Sequence, residues 1–255
     1  MSRIDNSPSN NGRGSDAWAR SWMHVRVDRR SPGYCRVTFD HPPNNAVNRI
    51  MVAELAELVD LIEKDSDLNV VVFDSANPDC FLTSSGTEPA PDRTRLPAGP
   101  TGLPAWLDLL VRLARAPVLS VAAIRGRAQG AGSEFIVACD LRFASRENTQ
   151  LGQFEVGTSL DSSGGAAARL SRLTGYGRAL EILLLADDLD GPRAEQYGYV
   201  NRVIADDRLD HEVEAIASRL ARLDHDALAR TKSYVSQMTP PADREPNRYR
   251  PRMGG

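Results

Sequence analysis

Glu134 closes the stretch Gly126-Arg-Ala-Gln-Gly130-Ala-Gly132-Ser-Glu134, where a carboxyl can take or give a proton beside a developing negative charge. The glycines let the backbone turn sharply and approach a ligand closely. From Ala131 or Gly132 the residues suit a helix, with Phe135, Ile136 and Ala138 or Cys139 spaced to pack one face against a sheet. The first amides of such a helix have no intrahelical partner, so the Ala131 amide is a candidate donor to an anionic oxygen. Val118 to Ile124 is apolar and follows Pro117, and it reads as the buried strand that delivers this turn.

Two other chemistries share parts of this pattern. The spacing Gly126-x-x-x-Gly130-x-Gly132 also suits the dinucleotide loop of short-chain dehydrogenases, but no tyrosine here has a lysine four residues on. A serine-hydrolase elbow at Ser133 lacks the second glycine of G-x-S-x-G.

The segment as a whole, a strand meeting a glycine turn and a helix that ends in Cys139-Asp140, resembles the crotonase family of enoyl-CoA hydratases and isomerases. Leu151-Gly-Gln-Phe-Glu155 resembles that family's second acidic segment. Gly164-Gly165, Arg169-Leu170 and Ala194-Glu-Gln-Tyr-Gly198-Tyr-Val200-Asn-Arg-Val203 continue the likeness in order, over roughly residues 23 to 235. The resemblance implies an α/β fold, a crotonase-like spiral of repeated β-β-α units closed by C-terminal helices.

It also implies a reaction: water added to an α,β-unsaturated acyl-CoA through a stabilised enolate. Glu134 is then the base that deprotonates the attacking water, and Glu155 the acid that protonates Cα. Two nearby carboxyls suit these roles because they cannot cheaply carry charge together. Phe81-Leu-Thr83-Ser-Ser-Gly86 matches the family's Phe-x-Ala-Gly-x-Asp, which makes the Thr83 amide the first oxyanion donor and the Ala131 amide the second. Here Thr83 replaces alanine, Ser84 replaces glycine and Gly86 stands where aspartate is common. A backbone donor survives a change of side chain if its N–H direction is kept.

By the same resemblance, Thr83, Ser84, Ser85, Gly86, Gly130 and Ala131 bind the acyl-CoA, and Lys232 in a late helix meets a phosphate. A solvated surface lysine is the competing reading of Lys232. The family needs no metal and no cofactor beyond the coenzyme A of its substrate. It commonly forms homotrimers or homohexamers. Isomerase, thioester hydrolase and decarboxylase chemistry on the same fold are alternatives, as is a non-catalytic acyl-CoA-binding or scaffold protein.

Composition is compatible with this and excludes other classes. A net charge of −3 argues against a general nucleic-acid binder. No apolar run reaches the length of a membrane span, and the polar N-terminal residues lack a signal peptide's apolar segment, so a cytoplasmic protein without a membrane role is expected. Cys35, Cys80 and Cys139 are widely spaced and read as reduced. His24, His41, His211 and His225 form no metal-ligand pattern, and Asp187, Asp188 and Asp190 lack the spacing of a calcium loop.

The elements that must position the site follow from periodicity. Residues 1–21 read as a disordered segment, 22–238 as the crotonase-like domain with a helical part from about 192, and 239–255 as a flexible tail. Met23 to Arg29 and Tyr34 to Phe39 read as a hairpin, and Asn45-Ala46 resembles the family's Asn-Ala pair before the first helix. Val52, Leu55, Val59 and Ile62 mark that helix, and Asn69 to Phe73 a buried strand. The polar run after Asp74 reads as a strand exit, and residues 87–102, rich in proline, as a mobile loop over the site. Leu103 to Ala114 is helical. Leu141 to Ser145 and Gln150 to Phe154 read as two strands, and Gly164 to Leu173, Arg178 to Ala186, Asp207 to Leu223 and His225 to Met238 as helices.

Overall fold

Alternation in the strands decides how the molecule is layered, because successive side chains of one strand reach opposite faces of a sheet. The computed structural model describes residue 18 and residues 20–84, 96–154 and 164–237. In chain order the elements are β1 (Val25–Ser31), β2 (Tyr34–Phe39), β3 (Ala46–Val47), α1 (Arg49–Lys64), β4 (Val70–Ser75), β5 (Cys80–Ser84), α2 (Ala105–Arg115), β6 (Leu119–Gln129), α3 (Ala131–Ala138) and β7 (Leu141–Gly152). There follow α4 (Ala166–Thr174), α5 (Tyr176–Leu185), β8 (Leu189–Asp190), α6 (Gly191–Tyr197), β9 (Arg202–Ile204), α7 (Leu209–Leu220) and α8 (His225–Gln237).

The antiparallel hairpin β1–β2 leads into parallel pairs β2–β4, β4–β6, β6–β7 and β7–β9. A second tier uses the far halves of the same two long strands. β5 pairs with β6 at Cys80–Arg127 and Leu82–Ala128, β3 pairs with β5, and β8 pairs with the end of β7. The corner lies at Gly126, where the β6–β7 register shifts. Gly126 has φ +65, and a Cβ there would meet the Asp79 carbonyl carbon at 2.1 Å, so only glycine fits. This alternation of strands and helices, with tiers sharing β6 and β7, is the crotonase-like α/β arrangement the sequence leads one to expect.

Phe39, Phe73, Phe81 and Phe135 meet on one side of the first tier, with edge contacts of 5.0 Å for Phe73–Phe135 and 5.4 Å for Phe39–Phe135. On the other side Val70, Val72, Val121, Ala123 and Phe143 pack against Leu209, Val213 and Ala217 of α7. Both faces of the parallel strands are therefore covered, which is why these strands read as apolar runs.

Several boundaries differ from the sequence reading. The strand begun at Leu119 does not end at Ile124 but bends at Gly126 and runs to Gln129, so the tight turn shrinks to Gly130. Leu141–Gly152 is one strand rather than two, since β6 pairs with it on both sides of the bend. Cys80–Ser84, read as an exit into loop, is the strand β5, because β3 and β6 supply its partners. Trp18, inside the segment expected to lie outside the fold, is buried and its indole donates to Asp65 at 3.0 Å. Residues 87–95 of the expected loop and the tail from 239 lie outside the described residues. Among the described residues no helix is long and apolar enough to cross a membrane, and no group of three His, Cys, Asp or Glu is placed to hold a metal ion.

Candidate active site

Helix α3 is seated by contacts along its length. At its start, Gly132 lies so close to β5 that a Cβ would stand 1.7 Å from the Leu82 carbonyl oxygen, so any side chain would lift the helix from the strand. At its end, the buried Arg142 donates to the carbonyls of Cys139 at 2.6 Å and Ile136 at 3.3 Å. The Cys139 amide already closes on the Ile136 carbonyl at 3.2 Å, and the guanidinium adds a second donor there and supplies one to the Cys139 carbonyl beyond the last turn. Phe135 locks the apolar face into the phenylalanine cluster and lies 6.4 Å from the Trp106 ring.

This seating fixes Glu134, which is 1% exposed. Its Oε2 accepts from the Trp106 indole nitrogen at 2.6 Å, and its Oε1 from the Gly164 amide at 2.6 Å. Trp106 comes from α2 and Gly164 from the residues leading into α4, so three separate segments meet at one carboxylate. Gly164 permits this approach, because a Cβ there would fall 2.5 Å from Oε2. Arg169 in turn donates to the Gly164 carbonyl and so anchors that segment. The sequence reading missed Trp106 as a site residue. A tryptophan inside an apolar helical stripe offers a signal, since its N–H usually finds a partner when buried.

Ala131 stands one helical turn before Glu134, on the same side of the helix. The two amides expected to open on a substrate oxygen both have acceptors within the fold. The Ala131 amide donates to Ser84 Oγ at 2.9 Å, and the Thr83 amide to the Asn45 carbonyl at 3.3 Å. For Thr83 the reason is the β3–β5 ladder, in which Ala46 is its partner. Asn45 is buried in the left-handed region at φ 49 and ties β5 down: its side-chain nitrogen donates to the carbonyls of Cys80 at 3.2 Å and Phe81 at 3.1 Å. The Asn-Ala pair thus positions the strand that carries Thr83 and Ser84.

The remaining candidates divide. Gly130 is the N-cap of α3, with φ 55, and its carbonyl accepts from the Gln153 side chain at 3.4 Å. Lys232 is buried in α8, where its ammonium donates to Asp140 at 2.7 Å and to the Val118 carbonyl at 2.9 Å. That is neither a solvated surface position nor one with an unengaged ammonium. Ser133, considered for a hydrolase elbow, shares a hydrogen bond with the buried Tyr199 hydroxyl. Glu155, Ser85 and Gly86 lie outside the described residues.

A buried carboxylate on a glycine-seated helix, one turn from the helix's first amide, is a site for moving a proton next to a polarised carbonyl. The sequence profile described as enoyl-CoA hydratase/isomerase matches residues 29–250. The chain belongs to the enoyl-CoA hydratase/isomerase family. Within this family, the short-chain-enoyl-CoA hydratase of Clostridium acetobutylicum is 30% identical over 186 residues, covering 72% of this chain and 70% of that protein. The crotonyl-CoA hydratase of Syntrophomonas wolfei is 29% identical over 177 residues, 69% of this chain and 67% of its own. A crystal structure from Streptomyces avermitilis, described as a candidate enoyl-CoA hydratase, superposes with a TM-score of 0.81 at 38% identity, over 87% of this chain and 80% of that one.

Proposed function

We propose that this enoyl-CoA hydratase/isomerase family member adds water across the Cα=Cβ bond of an α,β-unsaturated acyl-CoA. The observation that carries the reading is the buried Glu134 carboxylate, held by Trp106 and Gly164 one turn from the Ala131 amide. Glu134 takes a proton from water as its oxygen bonds to Cβ, and the Cα=Cβ electron pair moves toward the thioester oxygen. Glu155 gives its proton to Cα as the resulting enolate collapses. Proton exchange between the two carboxyls, by way of solvent, then restores both. Hydrogen bonds to the thioester oxygen matter most in the middle of this sequence, where its charge is greatest. Coenzyme A enters only as part of the substrate.

The expected test is turnover of crotonyl-CoA and longer enoyl-CoA thioesters by the full chain, with Glu134→Gln and Glu155→Gln each losing hydration while keeping the native melting transition. Unchanged turnover in either variant would remove that carboxyl from the mechanism. A product profile separates hydration from isomerisation, thioester hydrolysis and decarboxylation.

A second reading, an acyl-CoA binder without turnover, draws on the two occupied amides and the Thr83-Ser84 replacement. Calorimetric binding of acyl-CoA with no product from any thioester would favour it. The reading also includes a homotrimer or homohexamer working in the cytoplasm on fatty acyl thioesters. The subunit association is supported by the exposed apolar side chains of Tyr176, Leu184 and Leu185 on α5 and of Tyr234 and Val235 on α8. Sedimentation at micromolar concentration checks the subunit number.

A further inference from the structure

Ser84 occupies the place where a substrate oxygen would meet the Ala131 amide. A donor to a developing oxyanion works at about 2.7–3.1 Å from the oxygen it stabilises. Ser84 Oγ sits 2.9 Å from the Ala131 nitrogen, inside that range. The amide has one hydrogen, so a thioester oxygen and Ser84 Oγ cannot both lie along it.

Backbone movement does not relieve the conflict. Ser84 is paired with Val47 in the β3–β5 ladder, and α3 presses on the same strand two residues earlier, at Leu82. The hydroxyl itself has unused capacity. It accepts from Ala131, yet no acceptor for its own hydrogen is found among the described residues, although Ser84 is only 9% exposed. An oxygen that accepts from an amide becomes a better donor, because consecutive hydrogen bonds polarise one another.

We propose that the Ser84 hydroxyl, not the Ala131 amide, is the group that donates to the substrate's thioester oxygen. This rests on the reading of the chain as an enzyme of enoyl-CoA thioesters and assigns its oxyanion contact. Ala131 is then a positioning residue that orients and polarises the hydroxyl. The carbonyl oxygen then lies about 2.7 Å from Ser84 Oγ, one O–H···O distance, and not against the amide. The proton stays on Ser84 throughout, so the contact stabilises the enolate without entering the proton balance.

The test compares Ser84→Ala, Ser84→Gly and Ser84→Thr in the full chain, each checked for a native melting transition. Two readouts are used: hydration of crotonyl-CoA, and binding of a 3-ketoacyl-CoA, whose enolate absorbs in the near ultraviolet. The expected result is a kcat lower by about 10²–10³-fold in Ser84→Ala, with KM moved less than about threefold. The enolate band is weakened while the thioester still binds. Ser84→Thr, which keeps the hydroxyl, retains activity within about tenfold of the parent. Activity in Ser84→Ala or Ser84→Gly equal to or above the parent would overturn the assignment and make the hydroxyl a plug on the amide. If the parent chain binds neither thioester, the enzymatic reading falls together with this one; binding with an unaltered band in Ser84→Ala overturns the Ser84 assignment alone.

Discussion

The Trp106 indole reaches across from α2 to donate to Oε2 of Glu134 at 2.6 Å, and both side chains are buried. Leaving a buried carboxylate oxygen without its donor costs about 1–3 kcal/mol. Trp106→Phe keeps a ring beside Phe135 and removes only the N–H. The expected outcome is a loss of about 1–3 kcal/mol in chemical denaturation and a fall in kcat of about tenfold or more, with KM moved less. Adding Trp106→Phe to Glu134→Gln should cost less than the sum of the two, since they share one interaction. An unchanged kcat in Trp106→Phe would show that the indole does not set the carboxylate's position.

The contrast between Glu134 and Trp106 explains what the chain discloses before folding. Glu134 was legible because its signal is local: a strand, a glycine turn and a helix within one short stretch. The helix marked by Val52, Leu55, Val59 and Ile62 was legible for the same reason, and it forms as Arg49–Lys64 with Asn48 accepting from the Met51 amide. Trp106 acts on a residue 28 positions away, and its one local signal, an indole N–H within an apolar helical stripe, does not say which partner it meets. Strand β5 was hidden by its Thr-Ser polarity, because its strand character comes from neighbours β3 and β6 rather than from alternation. At Gly126 the residues read as a turn, whereas the structure has a bend within one strand. Pairing with Thr149 of β7, available only after folding, selects the bend.

Lys232 offers a direct choice between a structural and a ligand role. Its ammonium meets Asp140 Oδ2 at 2.7 Å, and the same oxygen accepts from the Ser120 amide at 2.8 Å and hydroxyl at 2.9 Å. Removing one partner of a largely buried pair leaves the other charge uncompensated, at a cost of about 3–5 kcal/mol when burial is complete. Asp140 keeps some solvent access and two Ser120 donors, so Lys232→Met is expected to cost about 2–3 kcal/mol, seen as a lower denaturation midpoint. KM for acyl-CoA should stay within about twofold once the variant is folded. A raised KM with an unchanged midpoint would instead place the ammonium on a substrate phosphate.

The three thiols are all buried, and burial pushes Cys35 and Cys139 up to about 12 and Cys80 up to about 11. Only the thiolate reacts with electrophiles, so in the folded protein at pH 8 the thiolate fraction is very small at each site. Native protein is expected to resist alkylation and disulfide exchange, with all three cysteines becoming reactive in denaturant. Titration with a chromogenic disulfide, with and without guanidinium, measures this. Rapid labelling of Cys80 in native buffer would mean that the β3–β5 region opens readily.

His24 makes stability depend on mildly acidic pH. Burial holds its imidazole below the usual value of 6.5; the stacked His41 ring, at 3.8 Å, acts in the same direction and Glu54 opposes them. Its Nε2 lies 3.1 Å from the Asn48 side-chain nitrogen, an N–H that needs an unprotonated ring nitrogen as acceptor. Asn48 is also the N-cap of α1, so protonating His24 disturbs the start of that helix. Because the folded state protonates at lower pH than the unfolded chain, the stabilising contribution is present above 6.5 and is lost as pH falls through the folded value. Melting temperatures recorded from pH 8 down to 5 should decline more steeply in the parent than in His24→Gln, which keeps a polar side chain but cannot titrate. Parallel declines in the two proteins would assign the acid sensitivity to other groups.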